Sequence, residues 1–384
     1  MIYYMDCAAT TKLSDVAALA FKNTASEFYF NPSSHHDGGY KAKQFLNANR
    51  LAIAELVGAH KEEIYFTSGG SESNNWALEV IAREGLRKGK KHIISSQIEH
   101  HSVLNKLKEL KSRGFEVTLI KPRPDGIVDA ADVISAIRPE TCGISLMAVN
   151  NELGTVQPIF KVGQVCQEKK IFFHVDAVQG MPHLIWDLQK FPINYLSASG
   201  HKFEGPRGCG FLYVKSGSPL SPLIYGGAQE FGMRAGTENL PAIAAMKVAL
   251  AQRVGILKRM DKDYFDFERG LKRQLINGLR SIGGCHIHMN SDDESIPTIV
   301  NFYFDDVLGE TLLSLLNSDG VYCSAGSACA AGDPEPSHVL KAIGYSDNAA
   351  KNSIRLSFDW RTSSDDIGSV IEIVRRNVNF VRGV

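Results

Sequence analysis

The sequence has no surplus of charge: 42 Lys and Arg balance 42 Asp and Glu. Binding nucleic acid by bulk phosphate attraction needs a basic excess to displace counterions, so nucleic acid is not an expected partner. There is no internal repeat and no low-complexity stretch, and the composition excludes disorder of the whole chain. The opening residues, Met1-Ile2-Tyr3-Tyr4-Met5-Asp6, lack the basic stretch and apolar core of a secretory signal. No uninterrupted apolar run approaches bilayer-spanning length, which excludes a membrane partner. The seven cysteines (Cys7, Cys142, Cys166, Cys209, Cys285, Cys323, Cys329) are odd in number and show no paired spacing. That pattern argues against a disulfide framework and for a reducing, cytoplasmic setting with one or two reactive thiols.

What is present is a globular chain, 44 % apolar and 22 % charged, whose 384 residues suggest roughly two to three domains. Between about residues 60 and 215, short β-rich runs alternate with helical patterns. The runs are Glu63-Ile64-Tyr65-Phe66, His92-Ile93-Ile94-Ser95, Glu116-Val117-Thr118-Leu119-Ile120, Ile144-Ser145-Leu146-Met147-Ala148-Val149, Ile171-Phe172-Phe173-His174-Val175 and Tyr195-Leu196-Ser197-Ala198, with a further one over 209–215. Helical patterns at 73–83 and 102–113 separate some of them. Such alternation predicts βαβ units and a mainly parallel sheet, with ligands beyond the carboxyl ends of the strands. A long helical pattern follows Asn239-Leu240-Pro241 and runs, with interruptions, to about residue 282. A second unit then shows strand patterns at 298–303 and 353–357 and helical ones at 309–317 and 364–378. We expect a boundary near residue 258.

Three strings carry chemistry. In Ser197-Ala198-Ser199-Gly200-His201-Lys202, a lysine follows a strand; such an amine can form a Schiff base if it is partly desolvated or lies near another cation. In Phe173-His174-Val175-Asp176-Ala177-Val178-Gln179, a carboxylate ends an apolar strand, where it needs a cationic or hydrogen-bonding partner. A pyridinium nitrogen is one such partner; a helix N-cap is the plain alternative. In Phe66-Thr67-Ser68-Gly69-Gly70-Ser71-Glu72-Ser73-Asn74-Asn75, a Gly-Gly turn leads into a hydroxyl-rich helix start, whose free N–H groups and dipole make an anion site. The same letters also spell an ordinary capped helix.

With these strings in place the sequence resembles the cysteine desulfurases, fold-type I pyridoxal-phosphate enzymes of the class V aminotransferase superfamily. The resemblance covers nearly the whole chain, in order. It runs from Tyr4-Met5-Asp6-Cys7-Ala8-Ala9-Thr10-Thr11 and Asn31-Pro32-Ser33-Ser34 through the three strings above, Glu99-His100 and Val149-Asn150-Asn151-Glu152-Leu153-Gly154. It continues in Arg234-Ala235-Gly236-Thr237-Glu238-Asn239, Gly326-Ser327-Ala328-Cys329 and Ser353-Ile354-Arg355-Leu356-Ser357. It implies an α/β fold, an αβα sandwich around a mainly parallel sheet, with a smaller α/β domain. The large domain would span 13–258, and the small one 1–12 with 259–384.

The resemblance also implies roles. Lys202 would hold pyridoxal 5'-phosphate covalently and later move the Cα proton. Asp176 would keep the pyridine nitrogen protonated, Gln179 would bond the ring hydroxyl with Asn151 beside it, and His100 would stack on the ring as a general acid or base. Gly70, Ser71, Ser199 and His201 would cradle the phosphate, with Thr237 reaching it from a partner subunit of a homodimer. Arg355, with Asn151, would bind the carboxylate of L-cysteine, a task suited to a planar fork. Cys329 would attack the substrate sulfur, take it as a persulfide and release L-alanine; its small-residue setting resembles the long-loop subgroup, which passes the persulfide to an acceptor protein. Sulfur mobilised in this way serves iron–sulfur cluster or thio-cofactor biosynthesis.

Some residues depart from the family pattern. Cys7 stands where a tyrosine is usual, Phe231 where a basic or polar residue is common, and Phe358-Asp359-Trp360 follows Arg355 where Leu-Gly-Arg is usual. The chain ends at Val384 soon after its last helical pattern, so the extension with which housekeeping members dock their scaffold is not expected. Cys323 is expected to be buried at a strand end. Cys285-His286-Ile287-His288 places two imidazoles on one strand face, but no further ligands lie nearby in sequence and no metal site is expected. Two other readings compete: a lyase of the same fold that relays no persulfide, and a catalytically idle interaction subunit. Intact Lys202, Asp176 and Cys329 speak against the second.

Overall fold

The computed structural model describes residues 1–259, 262–288, 295–325 and 336–383. After a short strand β1 (Tyr3–Tyr4) the chain forms helices α1 (Asp15–Glu27) and α2 (Asp37–Leu56). Ser14 caps the first by accepting the Ala17 N–H, and His36 caps the second by accepting the Gly39 N–H at 3.1 Å. Neither helix stands out as a hydrophobic pattern. Helix α1 buries only Ala17 and Thr24, and the buried stripe of α2 contains Asn49 and Arg50.

Strands and helices then alternate: β2 (Ile64–Thr67), α3 (Gly70–Arg87), β3 (His92–Ser96), α4 (His101–Ser112), β4 (Glu116–Ile120) and α5 (Ala130–Ser135). They continue with β5 (Thr141–Met147), α6 (Ile159–Lys169), β6 (Phe172–Asp176), β7 (Tyr195–Ser199), β8 (Gly210–Val214) and α7 (Leu240–Arg259). The strands make one seven-stranded sheet in the order β2-β8-β7-β6-β5-β3-β4. Strand β8 is antiparallel to both neighbours, and every other pairing is parallel. Strands β3, β5, β7 and β8 are buried at every position, which is why they read as unbroken runs without alternation. Strand β5 starts at Thr141 and stops at Met147, so Ala148 and Val149 already belong to the turn that leads into the site. Strands β2, β3, β5, β6 and β7 run in one direction and carry Thr67, Ser96, Met147, Asp176 and Ser199 at their carboxyl ends.

Helix α7 is long and apolar enough over Leu240–Lys258 to cross a membrane, yet most of that stretch is buried, against α1 and α2 among others. Beyond it come α8 (Lys262–Arg280), β9 (Cys285–His288), β10 (Ile299–Phe304), α9 (Gly309–Ser318), β11 (Val321–Tyr322) and β12 (Ser324–Ala325). The chain closes with α10 (His338–Ala342), α11 (Asp347–Lys351), β13 (Ile354–Ser357) and α12 (Ser364–Arg382). A four-stranded antiparallel sheet, β12-β13-β10-β9, has its own core of Leu271, Leu275, Val300, Phe302, Leu316, Ile354, Val370 and Val374. The amino terminus joins the two parts. Strand β1 pairs with β11 and Met5 enters the second core, while Ala8 packs into the first.

Candidate active site

Asp176 ends β6 at the floor of a cavity of about 210 Å³. It is 4 % exposed, and its hydrogen-bond donors are neutral: Val178 N–H at 3.0 Å on Oδ1 and Asn74 Nδ2 at 2.7 Å on Oδ2. Asn74 lies in the first turns of α3, which packs against β5, β6 and β7. The same amide reaches Ser102 Oγ at 2.9 Å, and Ser102 Oγ is 2.8 Å from His100 Nδ1. His100 is the N-cap of α4, accepting the Ser102 N–H at 3.1 Å. Burial lowers the pKa of His100 and nearby Lys202 and His101 add to that, against the pull of Asp176.

Lys202 closes the short turn after β7. Its Nζ donates to the carbonyls of Ala8 at 2.6 Å and Ala9 at 2.9 Å. The amino-terminal segment is tied to the same turn: Thr11 Oγ1 donates to His201 O at 2.9 Å and accepts from Glu204 N–H at 2.8 Å. The lysine is therefore positioned by a segment nearly two hundred residues away in sequence.

On another wall, α3 begins at Gly70 with first-turn N–H groups that have no partner within the helix. Gly69 has φ +148°, a conformation side chains disfavour, and a Cβ on Gly70 would lie 2.4 Å from Val178 Cγ2. Only the Gly-Gly pair lets the helix start sit this close to the loop after β6. Ser71, Ser199 and His201 border the same space. The His201 pKa falls to about 4, through burial first and then the neighbouring charges of Lys202 and Arg207.

Arg355, on β13, is 1 % exposed. Its Nη2 pairs with Asp6 Oδ1 at 2.8 Å and its Nη1 donates to Asn151 O at 2.9 Å. Ser324 Oγ also donates to Asp6 Oδ1, at 2.7 Å. Two buried carboxyls stand behind the cavity. Glu99 accepts Ser96 Oγ–H at 2.6 Å and Met147 N–H at 3.0 Å, and burial pushes its pKa up to about 8. Glu152 accepts Ser337 Oγ–H at 2.5 Å, and burial takes it to about 7.

The structure thus brings Gly70, Ser71, His100, Asn151, Asp176, Ser199, His201, Lys202 and Arg355 to one cavity. Gln179 is adjacent but turned aside: its Nε2 donates to Ala8 O at 2.6 Å, beside a second cavity of about 30 Å³ that it shares with Lys202 and Cys7. Thr237 lies elsewhere, on a cavity of about 110 Å³ with Ser68, Glu230 and Arg234. Cys329, with Gly326, Ser327 and Ala328, lies outside the described residues. Cys323 sits half-buried between β11 and β12, and burial lifts its thiol to about 12. The Cys7 thiol is also buried and raised, and nothing in the structure explains why it replaces a tyrosine. Phe231 is exposed, at φ +59°, and its ring lies 5.1 Å from the Arg50 guanidinium, which holds Glu230 with two hydrogen bonds. Trp360 Nε1 donates to Glu204 Oε1 at 2.6 Å. His286 and His288 bond different partners, Asp305 and Ser353, at 2.7 Å each. Asn74, Ser102 and the Ala8 carbonyl escaped sequence reasoning. Asn74 lay inside a string already of interest and Ser102 just beyond His100, but only the strand order brings Asn74 to Asp176 and Ser102 to Asn74; a backbone carbonyl leaves no sequence signal.

The family model of class-V aminotransferases matches residues 3–370. A protein named cysteine desulfurase IscS from Methanosarcina thermophila is 41 % identical over 99 % of this chain and 93 % of its own length. One of the same name from Cronobacter sakazakii is 37 % identical, again over 99 % of this chain and 93 % of its own. Among solved structures, a NifS-like protein superposes with a TM-score of 0.91 at 33 % identity, covering 99 % of this chain and 100 % of its own. One described as SspA in complex with cysteine has a TM-score of 0.81 at 37 % identity, covering 93 % of this chain and 99 % of its own.

Proposed function

The chain belongs to the class-V aminotransferase family and, within it, to the cysteine desulfurases; from that premise we propose how its own residues remove sulfur from L-cysteine. The observation that carries the reading is the convergence of a buried carboxylate, Asp176, a lysine amine, Lys202, and a buried guanidinium, Arg355, on one cavity. The residues suit pyridoxal 5'-phosphate. A carboxylate with only neutral donors calls for a cationic partner, which a pyridinium nitrogen provides. A helix start with unused N–H groups, beside Ser71, Ser199 and His201, suits a phosphate. Asp176, His100, Gly70, Ser71, Ser199, His201 and Lys202 would hold the group, with Asn151 beside it. Thr237 of the partner subunit would complete the phosphate contacts in a homodimer. Gln179 would join by turning from Ala8 O. Bound there, the cofactor supplies an electron sink for the carbanion left when a Cα proton departs.

Lys202 is the base for that proton, its amine being held by two carbonyls at the cavity wall. Arg355 and Asn151 take the substrate carboxylate. The Cys329 thiolate attacks the cysteine sulfur; an S–S bond forms, the C–S bond breaks, and the electron pair stays on carbon, which gains a proton to give L-alanine. An acceptor protein then takes the outer sulfur from the Cys329 persulfide. The separate core built around Leu271, Phe302 and Val370 supports a division into 13–258 and 1–12 with 259–384, while Ala8, Ile296, Ile299, Val339 and Leu340 reach across it into the core of the larger part. The burial of α7 supports a soluble protein, and the odd, unpaired cysteines favour a cytoplasmic one.

The test supplies L-cysteine and quantifies alanine, sulfide and protein-bound persulfide together. Alanine equal to the sum of persulfide and sulfide is expected, and borohydride reduction should fix the cofactor on the peptide containing Lys202. Label on another lysine, or no alanine, would refute the reading.

A further inference from the structure

His100 caps α4 through Nδ1, and the donor in that cap is the backbone N–H of Ser102. A backbone N–H cannot turn round. Nδ1 is therefore the bare nitrogen, and the ring proton sits on Nε2. The Ser102 hydroxyl reaches the same Nδ1 at 2.8 Å, and its direction is set from behind. Asn74 Nδ2, a donor, lies 2.9 Å from Ser102 Oγ and 2.7 Å from Asp176 Oδ2. Because Nδ1 already accepts a backbone N–H and carries no hydrogen, the hydroxyl donates its own to Nδ1. Asp176 settles which way Asn74 faces, because a carboxylate only accepts. Asn74 Oδ1, on the other side of that amide, is buried with no hydrogen-bond partner among the described residues, so the two Nδ2 contacts outweigh its satisfaction.

We propose that Asn74 and Ser102 are positioning residues that link Asp176 to His100 and hold its imidazole neutral, in the Nε2–H form. Protonating Nδ1 would set N–H against N–H and break the helix cap. Among the described residues, the charged and titratable groups facing the ring are Asp176 at the end of β6, Lys202 after β7, His101 on α4 and His338 on α10. Asp176 alone favours the imidazolium; burial, Lys202 and His101 oppose it. His100 then offers the site a fixed Nε2–H, with removal of the Cα proton assigned to Lys202. That last consequence rests on the proposed activity, whereas the tautomer does not.

Imidazole ¹⁵N shifts of His100 read the tautomer directly, in protein with and without pyridoxal phosphate, with the resonance assigned by its loss in His100→Gln. The wild type is expected to show bare Nδ1 and protonated Nε2 across the neutral range. Ser102→Ala should raise the His100 pKa by about one unit, the size of one lost hydrogen bond to the neutral ring. Ser102→Thr, which keeps the hydroxyl, should restore it, and Asn74→Ala should shift it the same way by less. A wild-type His100 that is Nδ1–H or doubly protonated at neutral pH overturns the proposal. So does a titration unchanged in both Ser102→Ala and Asn74→Ala. A protein that stays colourless with pyridoxal phosphate would sink the activity instead, while the cofactor-free spectra still decide the tautomer.

Discussion

Arg355→Lys keeps a positive charge at the substrate site and removes the planar fork. In the native protein Nη2 is bound to Asp6 at 2.8 Å, Nη1 to Asn151 O at 2.9 Å, and Nε has no hydrogen-bond partner among the described residues. The guanidinium can hold Asp6 with one nitrogen and still offer N–H groups to a carboxylate. A lysine ammonium at the end of a flexible chain has to choose between them. Losing one charge-assisted hydrogen bond costs about 1.5–3 kcal/mol, a factor of roughly 10 to 150. The substrate carboxylate does not react, so the loss should appear chiefly in KM and leave kcat within a few fold. The assay is alanine formation against L-cysteine concentration, with a thermal scan of the same variant. Asp6 retains the Ser324 hydroxyl, so the fold should survive. An unchanged KM in a folded Arg355→Lys protein would show that the fork does not hold the carboxylate.

Cys329→Ser should stay yellow and change its absorbance on adding L-cysteine, yet form almost no alanine and carry no persulfide, because a hydroxyl is scarcely ionised near neutral pH; wild-type turnover with the persulfide mapped to Cys323 or Cys7 would reassign the nucleophile. Glu230→Ala strands the Arg50 guanidinium, 3 % exposed, and the Phe66 N–H that Glu230 accepts, so a destabilisation of about 3–5 kcal/mol is expected in urea titrations. A midpoint equal to wild type would contradict it. Glu99 gives a pH test: its carboxyl is raised to about 8 in the fold and sits near 4.3 in the unfolded chain. The native state therefore holds a proton that the unfolded chain has lost, and its contribution to stability falls as pH rises from about 4 to about 8. Relative to wild type, Glu99→Gln should gain stability at the upper end of that window, and identical pH profiles by thermal denaturation would refute the assignment.

The chain order of residues settles a good deal here. Runs such as Ile144-Ser145-Leu146-Met147 and Tyr195-Leu196-Ser197-Ala198 announce strands buried on both faces because they are mostly apolar without strict alternation. Polar residues set just after them, Asp176 and Lys202 above all, mark the strand ends where ligands collect. Helices α1 and α2 were not legible, since their buried faces are thin or carry polar Asn49 and Arg50, the latter paired with Glu230 far along the chain. Only the tertiary structure decided how the site is held. The lysine is positioned by the carbonyls of Ala8 and Ala9, the arginine by Asp6, and the carboxylate by an asparagine 102 residues earlier. Local pattern reports which surfaces seek burial; it carries no information on which distant donor will meet a given acceptor. That pairing is set by strand order and helix placement, and it is what turns scattered polar residues into one site.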